Sequence, residues 1–189
     1  MTDCLGIVLA GGLSSRMGQD KSQLERNKVS MLDFSKQLLA DTGVSEILVS
    51  GNLHQVGDLV TNAGPLGGIY SVIAQKKPKA ILVLPIDLPL MTSDALVKLK
   101  QVGELSQQAC FYQQHYLPLY LPVNAYVELF FEQAFKHFTG KGPSIRSLMA
   151  KVPHKVLTPD NEQILFNSNT PEQWQHAKSI FTKKRSSYV

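Results

Sequence analysis

The feature that most constrains this chain is a short apolar run that leads directly into a glycine-rich segment carrying two cations. Residues 4–10 read CLGIVLA, which is typical of a buried strand. Two glycines follow, and then Arg16 and Lys21. Glycines let backbone amides approach a phosphate closely, and such amides can form an anion-binding nest. The pattern therefore predicts an α/β fold that binds a polyphosphate at the end of its first strand.

The glycine spacing separates this segment from two well-known phosphate loops. The P-loop pattern GxxxxGK[ST] is absent, and so is the GxGxxG of dinucleotide-binding proteins. A lone Gly-Gly pair would indicate no more than a turn from a strand to a helix. Here the pair is combined with Ser, Arg, Gly, Asp and Lys within residues 9–21. The charges of Arg16 and Lys21 would offset the repulsion within a polyphosphate, which favours the phosphate loop.

The rest of the chain alternates buried strands with helices. Strands are predicted at 4–10, 45–50, 79–84 and 154–157, with one or two more within 109–121. Helices are predicted at 31–42, 64–76, 93–102, 123–137, 144–151 and 171–182, with Ser93 and Thr170 as caps. This alternation predicts a mostly parallel sheet covered on both faces. We expect a single domain over residues 1–182 and a basic tail without regular structure over 183–189.

Charge and composition narrow the function. The net charge is +4, but three basic residues of the tail leave 16 basic and 15 acidic side chains in residues 1–182. Such a near-neutral body argues against a nucleic-acid partner. No apolar run approaches the roughly 18 residues that span a bilayer, and we expect no signal peptide, because residues 1–4 carry no basic leader. Cys4 and Cys110 lie outside any CxxC pattern and are expected to be buried thiols. A cytoplasmic enzyme without a membrane partner is the expectation.

Three further segments carry candidate site residues. Asp87 directly follows a buried strand, where α/β sheets bind ligands, and a carboxylate there suits Mg²⁺, although a turn aspartate remains the alternative. The turn Gly64–Gly68 opens a helix, and its glycines would let the backbone approach a base or ribose. Asn167 and Asn169 precede Thr170-Pro171, so they either contact phosphate or metal or merely belong to a helix cap.

Together these segments resemble the molybdenum cofactor guanylyltransferases from Gly6 to about Ala177. Residues 9–21, LAGGLSSRMGQDK, are similar to the family signature LAGGxSxRMGxDK. Residues 64–69, GPLGGI, resemble the element GPLxGI. Residues 85–89, PIDLP, resemble P-C-D-x-P, with isoleucine in place of cysteine. Residues 167–173, NSNTPEQ, resemble NxNTPED, with glutamine in place of the final aspartate.

The resemblance implies a three-layer, Rossmann-like fold of the nucleotide-diphospho-sugar transferase type. It implies transfer of GMP from GTP to the phosphate of Mo-molybdopterin, with Mg²⁺ as cofactor and transient contact with a molybdoenzyme or its chaperone. Two alternatives stay open. One is a cytidylyl or other nucleotidyl transferase of the same fold. The other is a non-catalytic nucleotide-binding relative, because the chain is shorter than the family between His54 and Gly64.

The same resemblance assigns roles to individual residues. The catalytic residues would be Arg16, Lys21 and Asp87, with Asp87 as the metal ligand. Nucleotide binding would involve Leu9, Ala10, Gly11, Gly12, Lys21, Ser50, Asp58, Gly64, Pro65, Leu66, Gly68 and Asp87. Acceptor binding would involve Asn167, Asn169, Arg146 and His115. Asp58 and Ser50 stand where the family often has an aspartate and an asparagine beside the nucleotide.

Overall fold

A computed structural model of the protein describes residues 3–11, 21–51, 56–57, 59–60, 63–136 and 142–186. The strands are β1 (Cys4–Leu9), β2 (Glu25–Arg26), β3 (Val29–Ser30), β4 (Ile47–Ser50), β5 (Ala80–Pro85), β6 (Ala109–Tyr112), β7 (His115–Pro122) and β8 (His154–Leu157). The helices are α1 (Met31–Ala40), α2 (Gly64–Lys76), α3 (Ser93–Ser106), α4 (Ala125–Phe135), α5 (Ile145–Met149) and α6 (Pro171–Ser186). Short 3-10 helices occupy Lys21–Gln23 and Glu162–Leu165.

The described strands form a six-stranded sheet in the order β4-β1-β5-β7-β6-β8 and a separate β2-β3 hairpin. Strand β7 runs antiparallel to both of its neighbours, whereas the other pairs of the large sheet are parallel. The prediction of a mostly parallel sheet is therefore confirmed. In the register of β1 and β5, Leu9 lies opposite Pro85. The glycine segment and the Asp87 turn consequently leave the sheet side by side.

Side chains that alternate along β1 enter two different apolar clusters. Val8 belongs to a cluster with residues of α1, α3 and α6, whereas Ile7 and Leu9 belong to a cluster with residues of α2, α4 and α5. The sheet thus lies between two layers of helices, as predicted. Full burial of one such side chain contributes about 1.5–3 kcal/mol. Strands that are apolar on both faces, such as β1 and β5, are therefore stable only in the middle of this three-layer fold.

Helix α3 starts at Ser93, as predicted, but its cap and its C-terminal end differ from the prediction. The Thr92 side chain, not that of Ser93, caps the helix by accepting from the Ala95 amide at 3.4 Å. The helix continues past Gly103 to Ser106. It does so because Gly103 packs against the ring of Tyr120, where any Cβ would overlap the ring.

Residues 109–121 resolve into the two antiparallel strands β6 and β7. Pro118 does not end a strand but lies within β7, where the Leu117–Pro118 peptide bond is cis. The β2-β3 hairpin was not predicted, because strands of two residues show no periodicity that a sequence pattern could reveal.

Helix α6 continues to Ser186, into the segment for which the sequence predicted no regular structure. The residues Lys183–Ser186 contain neither glycine nor proline, so nothing in the sequence ends the helix at 182. Within the described ranges, no helix has the length and apolar character needed to cross a membrane.

Candidate active site

A cleft of about 600 Å³ opens at the carboxyl ends of β1 and β5. This volume lies within the roughly 300–1,000 Å³ typical of small-molecule sites. Of the predicted site residues that the structure describes, nine line this cleft: Leu9, Ala10, Gly11, Lys21, Pro65, Asp87, His115, Arg146 and Asn167. Four sequence motifs that lie far apart along the chain therefore meet in one place.

The side chain of Lys21 connects two of these motifs. Its Nζ lies 3.5 Å from Asp87 Oδ2, and both side chains are 18% exposed. The same Nζ donates a hydrogen bond to Asn169 Oδ1 at 2.5 Å. Lys21 thus joins the turn after β5 to the segment that precedes α6, and it compensates the charge of Asp87.

Asp87 is a mostly buried carboxylate whose hydrogen bonds are incomplete. Burial raises the pKa of its carboxyl above the ordinary value, while the Lys21 cation and the nearby Asn167 amide lower it. Oδ1 is buried and has no hydrogen-bond partner among the described residues. An unsatisfied buried acceptor costs about 1–3 kcal/mol, so a cation or a hydrogen-bond donor bound at Oδ1 would stabilise the carboxylate.

Asp87 fits a Mg²⁺ site that water and substrate phosphates complete better than a metal site built from several protein side chains. Within the described residues, no three His, Cys, Asp or Glu side chains come together as a ready-made metal cluster. Mg²⁺ usually binds to one or two carboxylates and takes its other ligands from water and substrate phosphates. The orphaned oxygen of Asp87 therefore fits a cation whose coordination a polyphosphate completes.

The segment before α6 is held on the Asp87 turn by its backbone. The buried Ser168 donates from its amide to the Asp87 carbonyl oxygen at 2.9 Å. Thr170 caps α6 as predicted, together with Gln173, whose Oε1 accepts from the backbone amides of Asn169 and Thr170 at 2.7 and 3.1 Å. The Gln173 backbone amide donates in return to Thr170 Oγ1 at 3.3 Å, which completes a capping box. Because capping does not use the Asn169 side chain, the cap alone does not explain that asparagine.

Helix α2 packs closely on the ends of β1 and β4. Ser50 is 2% exposed, and a Cβ at Gly68 would overlap its hydroxyl. Leu66 is fully buried in the core. Of the α2 residues assigned to the nucleotide, Pro65 reaches the cleft. In this structure the side chains of Ser50 and Leu66 serve packing, and their nucleotide contacts, like those of Gly64 and Gly68, stay predictions.

Three predicted residues, Gly12, Arg16 and Asp58, lie outside the described residues. Their roles in phosphate and nucleotide binding remain predictions from the sequence.

The cleft is also lined by residues that sequence analysis missed. His115 and Arg146, both predicted, stand there beside Gln114, Tyr116 and Ser144. Gln114 and Tyr116 gave no sequence signal because they belong to a hairpin of ordinary composition, and Ser144 indicated only a helix cap.

Two smaller cavities share Gln114 and His115 with the cleft. One of about 470 Å³ extends from Asn167 to Gln163 and His176, and one of about 460 Å³ extends from Arg146 to Met149 and Val156.

Comparison with known proteins identifies relatives over nearly the whole chain. Residues 6–156 match the family model described as MobA-like NTP transferase domain. A molybdenum cofactor guanylyltransferase from Xanthomonas euvesicatoria pv. vesicatoria is 37% identical over 179 residues, which cover 89% of this chain and 91% of that protein.

Two solved structures show the same fold. Molybdopterin-guanine dinucleotide biosynthesis protein A from Archaeoglobus fulgidus superimposes with a TM-score of 0.68 at 18% identity, over 95% of this chain and 99% of its own. A Mycobacterium tuberculosis H37Rv protein solved in complex with manganese gives a TM-score of 0.65 at 16% identity, over 94% and 99%. At these identities the likeness concerns the fold alone.

Proposed function

The chain belongs to the MobA-like NTP transferase family, and on that premise we propose that it transfers GMP from GTP to the phosphate of Mo-molybdopterin. The observation that carries the proposal is the meeting of Lys21, Asp87 and Asn169 beside the glycine segment. A cation, a carboxylate with a free oxygen and backbone next to glycine are the groups that a triphosphate and its divalent cation require.

The reaction requires no covalent enzyme intermediate. An oxygen of the acceptor phosphate attacks the α-phosphorus of GTP and forms the new P–O bond. The bond from the α-phosphorus to the bridging oxygen breaks, and pyrophosphate leaves with the electron pair. Catalysis then consists of positioning and of neutralising the developing charge. Lys21 would stabilise the charge on the departing pyrophosphate, together with Arg16 as the family resemblance implies.

Asp87 is the residue that would hold Mg²⁺. A Mg²⁺ ion bound there would supply Lewis acidity toward the phosphoryl oxygens. The chain contributes the Lys21 cation at 3.5 Å, which lowers the pKa of Asp87 against the rise that burial causes. Asn169 in turn orients Lys21 through its 2.5 Å hydrogen bond.

The acceptor would approach from the wall that carries His115, Arg146 and Asn167. These side chains line the cleft together with Gly11 and Pro65. Because the two smaller cavities open beside them, this wall has room for an acceptor much larger than its phosphate. By family membership alone, we expect the reaction in the cytoplasm and a transient handover of the product to a molybdoenzyme or its chaperone.

A titration of the purified protein with GTP, CTP and ATP in the presence of Mg²⁺ tests the nucleotide assignment. Selective binding of GTP supports guanylyl transfer, whereas selective binding of CTP keeps the site but changes the reaction to cytidylyl transfer. Pyrophosphate release with Mo-molybdopterin as acceptor is then measured. Binding without any release of pyrophosphate would favour a non-catalytic nucleotide-binding protein.

A further inference from the structure

Arg26, in strand β2, contacts the loop that carries Asp87 without lining the cleft. Its Nε donates a hydrogen bond to the Pro89 carbonyl oxygen at 2.7 Å. Its guanidinium carbon lies 4.1 Å from the ring centre of Phe34 and 5.1 Å from that of Phe181. A single side chain therefore joins β2 to the loop after β5, to α1 and to α6.

The chemistry of arginine suits this position better than that of lysine. A planar guanidinium can stack on an aromatic face and still donate along its edge, whereas an ammonium group cannot do both in the same way. Arg26 is partly buried, and desolvation lowers its pKa below the ordinary value of an arginine. The side chain thus gives up hydration for these contacts, as expected of a group with a structural task.

Lys21 and Arg26 lie in one short segment of the chain. The Leu24 amide donates to the Lys21 carbonyl oxygen at 3.3 Å, and the Leu24 side chain is buried in the core. Arg26 follows in the hairpin. On the other side, Asp87 and Pro89 flank the buried Leu88. The same two segments are therefore tied twice, by the Lys21–Asp87 ion pair and by the Arg26–Pro89 hydrogen bond.

We propose that Arg26 is a positioning residue for the Lys21–Asp87 pair. It fixes the segment that carries Lys21 against the loop that carries Asp87, and it does so without touching the reactants. The proposal rests on the proposed function for its catalytic consequence. Its geometric consequence, the protection of the Lys21 amine, stands independently of the reaction.

The experiment compares Arg26→Met, which keeps an apolar side chain but loses the donor and the charge, with Arg26→Lys, which keeps the charge. The control is Lys28→Met, which removes an exposed cation from the turn of the same hairpin. The first readout is the rate at which the Lys21 amine is acylated, measured by mass spectrometry well below the melting temperature. The exposed Lys76 and Lys98 serve as internal references.

We expect Lys21 in Arg26→Met to be acylated several-fold faster relative to these references, with a smaller increase in Arg26→Lys and none in Lys28→Met. The second readout is kinetic. Arg26→Met should lower kcat for GMP transfer by about 10-fold and change the KM for GTP little, because small displacements of catalytic groups cost rate. Arg26→Lys should recover part of this loss.

Unchanged acylation of Lys21 in both arginine variants would overturn the proposal, whether or not activity falls. If Arg26→Met does not fold, Arg26→Lys alone decides by the same comparison. Faster acylation of Lys21 in a protein whose wild type transfers no GMP would uphold the positioning role and refute the proposed function. Faster acylation with an unchanged kcat would show that the ion pair is held by Arg26 but does not limit the reaction, which contradicts the catalytic part.

Discussion

Replacement of Asp87 by asparagine separates the cost of this residue to stability from its value to the reaction. The carboxylate is 18% exposed, and one oxygen lacks a hydrogen-bond partner among the described residues. Asparagine has nearly the same shape but neither charge nor affinity for Mg²⁺ comparable to a carboxylate. We expect GMP transfer to fall by at least about 100-fold, the scale on which one preorganised electrostatic group acts.

Stability should respond in the opposite direction. Burial holds the folded-state pKa of Asp87 above its unfolded value, so folding at neutral pH must retain a carboxylate that is more easily ionised in the unfolded chain. The penalty is complete above the folded-state pKa and disappears below the unfolded one. Asparagine still places a polar amide atom where Oδ1 is, so the gain comes from removing a buried charge, and the lost attraction to Lys21 is subtracted from it.

We therefore expect Asp87→Asn to match or exceed the wild type by up to about 1 kcal/mol, which corresponds to about 2–4 °C in a domain of this size. Thermal melts without nucleotide or metal, at neutral pH and at progressively lower pH, measure this difference, which should shrink as the pH falls. Asp94→Asn, at an exposed position in the first turn of α3, is the matched control. Near-wild-type turnover in Asp87→Asn would refute the metal assignment, and a melting temperature several degrees lower would refute the argument from burial.

Three more substitutions test other parts of the site and fold. Lys21→Met should lower the rate of GMP transfer by at least about 100-fold in steady-state assays, since it removes a cation that lies beside Asp87. A small loss would mean that another group stabilises the charge on the departing pyrophosphate. Gln173→Ala should destabilise the protein by about 1 kcal/mol in denaturant titrations, because it removes the reciprocal cap of α6, while the exposed Gln175→Ala should not. Gly103→Ala should cost about 1–3 kcal/mol or more, because its Cβ would overlap the ring of Tyr120, and unchanged stability would show that the ring can move aside.

The parts of the site that the sequence predicts are those encoded locally. An apolar run that ends in Gly-Gly, and an aspartate directly after another apolar run, indicate strand ends without any knowledge of the fold. The hydrogen bond from Lys21 to Asn169 joins residues 148 positions apart, and no spacing rule could select Asn169 over Asn167 as the partner. Arg26 gave no signal, because a lone arginine in a short polar stretch has the composition of an ordinary surface loop.

The contacts that hold the site together are distinct from the groups that would meet the substrates. Arg26 ties the segment after the glycines to Pro89, and the Ser168 amide ties the C-terminal segment to the Asp87 carbonyl. Neither contact uses Asp87 Oδ1, which is left without a partner among the described residues. Because these two contacts do not depend on Oδ1, that oxygen can bind a cation without breaking them. Electrostatic catalysis gains most from such preorganisation, since the surroundings need not reorient as charge moves from the α-phosphorus to pyrophosphate.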